Sequence, residues 1–135
     1  MGDNKYKKSK NVNYLKLKYL KNHSMETRIH KTLSQWFPDA FSDDKKSALE
    51  SDNIALRRLA KYEIKLINDN CKNKSEPFKI INLIYSEGSL YEKNTIENEF
   101  LKVIATEEKA MTLNEHLNLM PEGLRSVYLK VILQN

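Results

Sequence analysis

The chain has 135 residues, 40% hydrophobic and 30% charged, which is the size and composition of one globular domain and excludes a disordered chain. Its single cysteine, Cys71, excludes an internal disulfide framework. No apolar run reaches the roughly 18 residues of a membrane span, and the first 24 residues lack the apolar core of a signal peptide. These features predict a cytoplasmic protein that does not enter a membrane.

The net charge of +5 is distributed unevenly along the chain. Residues 1–24 carry seven Lys and one Asp, a net charge of +6, whereas residues 25–135 carry 16 basic and 17 acidic side chains, a net charge of −1. A nucleic-acid argument from overall basicity therefore depends on the first segment alone. Three interpretations of residues 1–24 are open: a partly ordered or dispensable extension, an added helix or strand docked on the domain, or a nucleic-acid-binding arm.

The apolar pattern after residue 24 predicts a first helix that ends before Pro38, because proline disfavours the α conformation of the residue preceding it. Ser24 is the predicted N-cap. The apolar face of this helix comprises Met25, Ile29, Leu33, Trp36 and Phe37. The aromatic residues around the proline are predicted to pack in the core, and the alternative is that an exposed Trp36 marks an interface.

A polar stretch, with a short helix around Asp43–Leu49, precedes the second strongly patterned segment. That segment is predicted to be a helix over Asn53–Asn70. Its apolar stripe comprises Ala55, Leu56, Leu59, Tyr62, Leu66 and Ile67.

The third helix is predicted from its start signal, the Ser-Glu-Pro run at 75–77, because proline is favoured in the first turn of a helix. Residues 78–85 are apolar nearly all round, which favours a buried central helix. A β-strand is the alternative for so short an apolar run. Gly88 is the predicted C-cap.

The rest of the chain is also helical in pattern. Residues 89–108 predict a helix whose inward face comprises Ile96, Phe100, Val103 and Ile104. Thr112 is predicted to cap a short helix over residues 113–120, and Pro121 to begin the last helix. The apolar face of the last helix comprises Leu124, Val127, Tyr128, Val131 and Ile132.

Five or six helices with short connections, and only three Gly and three Pro, predict an all-α fold. The arrangement is predicted to be a compact irregular bundle or a short α-solenoid. The predicted domain organisation is a basic N-terminal extension over residues 1–24, for which flexibility is one interpretation, and a single helical domain over residues 25–135.

Motifs of metal and nucleophile chemistry are absent from the sequence. The histidines, His23, His30 and His116, form no paired ligand motif, and one cysteine cannot build a zinc knuckle. The sequence contains no nucleophile-elbow motif, and its three glycines are too scattered for a phosphate-binding loop. We therefore predict no catalytic residue, no metal, no cofactor and no enzymatic activity.

Acidic residues concentrate in residues 87–122, which contain eight Glu and three Lys. Such a surface is complementary to a basic partner and accelerates its association. The alternative is a face that only keeps the protein soluble. The predicted partner-binding residues are Glu97, Glu99, Glu107, Glu108 and Glu115.

A basic stripe is predicted on the second helix at helical spacing, formed by Arg57, Arg58, Lys61 and Lys65. Such a stripe tracks phosphates in nucleic-acid-binding proteins. Glu63 and Asp69 are predicted to interrupt it, and no neighbouring residue set suggests base recognition. The alternative is an ordinary solvated helix face.

Two stretches, residues 95–108 and 116–135, are similar to the C-terminal halves of small uncharacterised all-helical bacterial proteins, some of which resemble toxin-immunity proteins. The shared element is a proline at a helix start followed by apolar positions, here Met120, Pro121, Leu124 and Tyr128. The resemblance covers about a third of the chain, implies a protein-binding role in bacteria, and transfers no active-site residue.

The leading prediction is a non-catalytic protein-binding module, such as an immunity-type protein that neutralises a basic bacterial toxin through its acidic surface. The alternative is a nucleic-acid-binding protein that uses the basic extension and the basic stripe.

Overall fold

The computed structural model describes residues 26–41 and 50–134, and this part of the chain is helical and contains no strand. The elements are α1 (Arg28–Trp36), α2 (Asp52–Asn68), α3 (Glu76–Ser86), α4 (Leu90–Ile96), a π-helical turn (Glu97–Leu101), α5 (Lys102–Thr106), α6 (Ala110–Leu119) and α7 (Glu122–Gln134). The all-α prediction is confirmed, and the strand alternative for residues 78–85 is wrong. The predicted extension 1–24, Met25, and the short helix around residues 43–49 lie outside the described residues.

The observed N-caps of the first and sixth helices differ from the predicted ones, Ser24 and Thr112, so both predictions are wrong. α1 begins at Arg28, and its N-cap is Thr27, whose hydroxyl accepts the backbone N–H of His30 at 3.0 Å. Thr112 is not an N-cap, because α6 begins earlier, at Ala110. The Thr112 hydroxyl instead accepts the backbone N–H of Lys109 at 2.9 Å, which satisfies a donor at the start of that helix.

α4, the π-helical turn and α5 form one continuous helical rod, since the residues at both junctions keep the right-handed helical backbone. The wider π turn allows two consecutive side chains, Phe100 and Leu101, to be fully buried. α2 and α7, which are distant in sequence, both pack against this turn, and α7 also contacts α3. The fold is therefore a bundle around the rod rather than a linear stack of helix pairs.

The aromatic residues near Pro38 divide between core and surface. Phe37 is buried beside the ring of Tyr62 on α2, at a centroid distance of 6.1 Å, and Phe41 is buried as well. Trp36, the last residue of α1, is 56% exposed, so its predicted core position is wrong. The alternative, in which an exposed Trp36 marks an interface, stays a prediction.

A polar corner ties α1 to the junction of α3 and α4. The Arg28 guanidinium donates to the Ile84 carbonyl at 2.9 Å and pairs with Glu92 at 3.1 Å. The Glu92 carboxylate also accepts the backbone N–H of Ser89, and the Ser89 hydroxyl in turn accepts the backbone N–H of Glu92. The hydrogen bond from Arg28 is the main reason that the pKa of Glu92 is lowered. The corner requires close approach of the chain at Gly88.

Replacing Gly88 with Ala is expected to destabilise the protein by about 1–3 kcal/mol, the usual cost of overpacking. A Cβ at this position would lie 2.7 Å from the Ile84 carbonyl oxygen and 3.2 Å from the Glu92 Cβ. Gly123 provides the matched control, since a Cβ there would meet only the flexible end of Asn82, at 3.3 Å. Thermal unfolding of both variants tests this. Equal changes in Tm for the two alanine variants would contradict the prediction.

Candidate functional site

The linker between α5 and α6 carries a carboxylate, Glu108, at the centre of a buried polar network. One of its oxygens accepts the hydroxyl proton of Tyr128 on α7 at 2.5 Å and lies 2.8 Å from Nδ1 of His116 on α6. Its other oxygen accepts the Thr112 hydroxyl proton at 2.5 Å. The network therefore connects α6 to α7 through the linker.

The protonation states in this network follow from its geometry. Burial alone raises the pKa of Glu108, but the hydrogen bonds from Thr112, Tyr128 and His116 outweigh burial and hold that pKa below its ordinary value. Burial, and then the bond to Glu108, raise the pKa of the Tyr128 phenol. Because an ionised carboxylate only accepts hydrogen bonds, Nδ1 of His116 is the donor to it.

A groove of about 410 Å³ lies beside this network, between the C-terminal half of α2 and α6. Its apolar wall comprises Ile64, Ile67 and Ile104, and its polar rim includes Glu107, Lys109 and Glu115. Thr112 and His116 also line it, so the network forms part of its floor. The groove combines an apolar wall with charged groups, and six of its nine lining residues are polar or charged, so it is more polar than a typical small-molecule pocket.

The five acidic residues predicted to bind a partner occupy two places. Glu107 and Glu115 are exposed at the rim of the groove, and Glu108, next to Glu107, lies in the network and lines a neighbouring hollow instead. Glu97 and Glu99 lie on the π-helical turn, away from α6 in the sequence. The structure therefore brings two of the five together around one groove, with Glu108 in the network beside it.

Glu97 and Glu99 make contacts within the chain. Glu97 accepts the hydroxyl proton of Tyr85 and pairs with Lys130 on α7 at 3.4 Å. Glu99 pairs with Arg57 on α2 at 2.9 Å. Both carboxylates thus hold the π-helical turn to its neighbours, a role that the acidic composition of this region did not indicate.

The basic residues of α2 lie on its outer side. Arg57, Lys61 and Lys65 are exposed and Arg58 is half-buried. Glu63, which was predicted to interrupt the stripe, is fully buried on the core side of the helix. That prediction is wrong, because about 100° of rotation per residue places Glu63 with the apolar stripe and away from the lysines.

Carboxylates compensate three of the four basic residues. Arg57 pairs with Glu99, and Lys65 pairs with Asp69 at 3.2 Å. Arg58 pairs with Glu50, and its guanidinium also lies 5.5 Å from the ring centroid of Phe41. The stripe consequently presents less uncompensated positive charge than its sequence suggests.

Glu63 is the second unusual ionisable group. Its side chain is fully buried, and neither carboxylate oxygen has a hydrogen-bond partner among the described residues. Burial raises its pKa from 4.5 to about 9, so the side chain is neutral at pH 7. The signal for its burial was present in the sequence, because Glu63 lies four residues after Leu59 and three before Leu66.

Other chemical groups in residues 26–41 and 50–134 are simple to describe. Cys71 is a half-buried free thiol. This part of the chain contains no group of three or more His, Cys, Asp or Glu side chains arranged to hold a metal ion. None of its helices combines the length and apolarity that a membrane crossing requires.

These features define a small all-α domain with a charged groove beside a buried carboxylate–histidine network. Residues 30–135 match a family model described as a domain of unknown function, DUF7674, and the chain belongs to that family. No curated protein and no solved structure matches the chain. The resemblance to uncharacterised proteins is thereby confirmed at the level of the family, which adds no support to the toxin-immunity likeness.

Proposed function

We propose that this protein is a non-catalytic module that binds another protein, and that its groove receives a basic side chain of the partner. The observation that carries the proposal is the position of Glu107 and Glu115. Both are exposed acidic residues of the 87–122 region, and both lie at the rim of the same groove, opposite an apolar wall.

Lysine and arginine are the side chains that suit this combination. Each has an apolar stem that packs along hydrophobic surface and a charged head that remains near water or a carboxylate. In the groove the stem would contact Ile64, Ile67 and Ile104 while the head meets the two carboxylates. Arginine is favoured over lysine, because its planar guanidinium offers several donors to two acceptors at once.

Lys109 also lines the groove and offsets part of its negative charge. The groove therefore accepts one or two basic groups at a time, and further basic groups of a partner or peptide would lie outside it. A single well-placed charge pair at the centre of an interface contributes more than many pairs at its rim. The remaining contact area would come from surfaces around the groove.

An immunity-type role, in which the chain covers a basic toxin, is one form of this proposal and is supported by the acidity of the groove rim. The nucleic-acid alternative has weaker support. Three of its four α2 residues are paired with carboxylates, and the basic extension lies outside the described residues.

The test uses a fluorescein-labelled hexaarginine peptide and fluorescence anisotropy at low salt. The double variant Glu107→Gln/Glu115→Gln is expected to bind about five- to tenfold more weakly than the wild type, since each ion pair of an exposed carboxylate is worth up to about 1 kcal/mol. The matched control, Glu87→Gln/Glu122→Gln, removes the same charge from exposed positions outside the groove lining. We expect it to lose less than threefold.

Equal losses for the two double variants would show attraction to overall charge and overturn the proposal. Absence of binding by the wild type at low salt would overturn it as well. An NMR titration with the same peptide locates the binding site, because chemical-shift changes are expected first at Ile64, Ile104 and His116.

A further inference from the structure

α6 is packed differently from the other helices of the described chain. Over its ten residues it buries one side chain, His116, which is polar. By comparison, α7 buries Leu124, Tyr128 and Val131 in thirteen residues. Met111 on α6 is 84% exposed. Three leucines of α6, Leu113, Leu117 and Leu119, are only partly buried against the core. Apolar burial, the main source of helix docking energy, therefore contributes less to holding α6 than to holding α7.

Open space borders α6 on both sides. The groove of about 410 Å³ lies on the side of α2, and a second hollow of about 280 Å³ is lined by Ala105, Leu113 and Ile132. Lys109, just before the helix, borders both. The two hollows leave room on either flank of α6, so its movement has to break the partial core contacts of its leucines but does not have to displace closely packed neighbours on those flanks.

Polar contacts hold the helix along its length. Thr112 in its first turn and His116 in its second half both donate to Glu108, which is fixed to α7 by Tyr128. At its end, the Arg125 guanidinium donates to the carbonyls of Leu117 and Met120, at 2.9 and 3.0 Å, and the Met120 side chain is buried. The first contact resembles a latch, since it consists of side chains. The second resembles a hinge, since it grips the backbone.

We infer that α6 is a hinged flap, latched by its Thr112 and His116 bonds to Glu108, which opens to admit an occupant to the groove and closes on it. The flap carries Glu115, while Glu107 belongs to the linker, so a bound basic group bridges flap and body. The identity of the occupant rests on the proposed function, whereas the motion rests on the packing and hydrogen bonds of α6 alone.

Hydrogen exchange measured by mass spectrometry on the full chain tests the motion. In the wild type, amides of residues 110–119 are expected to exchange at least about tenfold faster than those of α2 and α7, because local opening needs less free energy than global unfolding. The double variant Thr112→Val/His116→Leu removes both donors to Glu108 and keeps its bond to Tyr128. We expect a further increase of about tenfold, confined to α6.

Met111→Ala is the control, since this exposed side chain lies on the same helix but outside the network, and it is expected to leave the exchange rates unchanged. Exchange of α6 at the same rate as α2 and α7 in the wild type would overturn the inference. An equal acceleration of all helices in the double variant would do the same, because it would report lost global stability.

Hydrogen exchange in the presence of the peptide distinguishes the hinged flap from the proposed function. Saturating hexaarginine is expected to slow exchange in residues 110–119 at least threefold in the wild type and not in Glu107→Gln/Glu115→Gln. Peptide binding without any change in the exchange of α6 would contradict the inference that α6 closes on the bound group. Absence of peptide binding, combined with fast local exchange of α6, would contradict the proposed function and leave the hinged flap standing.

Discussion

Replacing Glu63 with Leu is expected to raise the free energy of unfolding at pH 7 by about 3 kcal/mol. In the folded protein this side chain is fully buried, without a hydrogen-bond partner among the described residues, and neutral. In the unfolded chain its pKa returns to 4.5, so the carboxyl is ionised at pH 7. Folding at pH 7 must therefore protonate this carboxyl at a pH some 2.5 units above its unfolded-state pKa, and each unit costs about 1.4 kcal/mol.

This estimate depends little on the folded-state pKa, provided that it lies well above 7. Leucine is close to glutamate in size and suits the apolar stripe of α2, so it removes the protonation cost without opening a large cavity. Glu63→Gln removes the protonation cost too but keeps an unpartnered polar group in the core. We therefore expect the Gln variant to gain less than the Leu variant.

The raised pKa of Glu63 determines how the stability of the wild type changes with pH. The folded pKa of Glu63 is raised, so its folded form is at no disadvantage below about pH 4.5, and stability is lost as the pH rises toward about 9. The stability difference between Glu63→Leu and the wild type should be smallest near pH 4, where only the unpartnered polar group contributes, and grow by about 1.4 kcal/mol per pH unit above pH 5.

Guanidinium unfolding at one-unit intervals between pH 4 and pH 9 measures this difference. Glu76→Gln serves as the control, because the Glu76 side chain at the start of α3 is 45% exposed and its substitution should leave the slope unchanged. A difference between Glu63→Leu and the wild type that is constant with pH would contradict a neutral buried Glu63. A loss of stability in the Leu variant would contradict it more directly.

Glu63 also shows what sequence reasoning about the fold captured and what it missed. The second helix was predicted over Asn53–Asn70 and is observed over Asp52–Asn68, because its apolar repeat is regular and strong. Glu63 occupies a core position of that same repeat. The residue type argues for exposure, because burying a carboxylate is costly, whereas the spacing indicates burial, and in this helix the spacing is the correct indicator.

The π-helical turn illustrates a second limit. The prediction of one helix over residues 89–108 was correct in type, with Ile96, Phe100 and Ile104 inside. The α-helical period left Leu101 off that face, although Leu101 is fully buried. A local widening of the helix changes which residues share a face, and no residue type in this stretch specifies such a change.

The candidate site was only partly accessible from the sequence. The acidic composition of residues 87–122 did point to Glu107 and Glu115, which line the groove, and to Glu108 in the network beside it. It could not separate them from Glu97 and Glu99, because the difference lies in partners from other helices, such as Arg57 and Lys130. His116 was missed as a member of the site, since its bond to Glu108 depends on the turn between α5 and α6.

Truncating Phe100 to Ala is expected to cost about 3–5 kcal/mol, a large part of the 5–15 kcal/mol that typically separates folded from unfolded domains. Phe100 is fully buried in the π-helical turn, against which both α2 and α7 pack. Its ring meets that of Phe78 on α3 edge to face, with centroids 6.0 Å apart. The substitution therefore removes contacts at the point where four segments of the bundle meet.

The expected readout is a drop in Tm of at least about 10 °C, with a matching decrease in the guanidinium midpoint. Leu133→Ala is the control, because Leu133 is 84% exposed on α7 and its truncation removes apolar atoms that are already in contact with water. We expect that control to change stability by less than about 0.5 kcal/mol. A Phe100→Ala loss as small as that of Leu133→Ala would mean that α2 and α7 hold together without the π-helical turn, contrary to the packing that the structure shows.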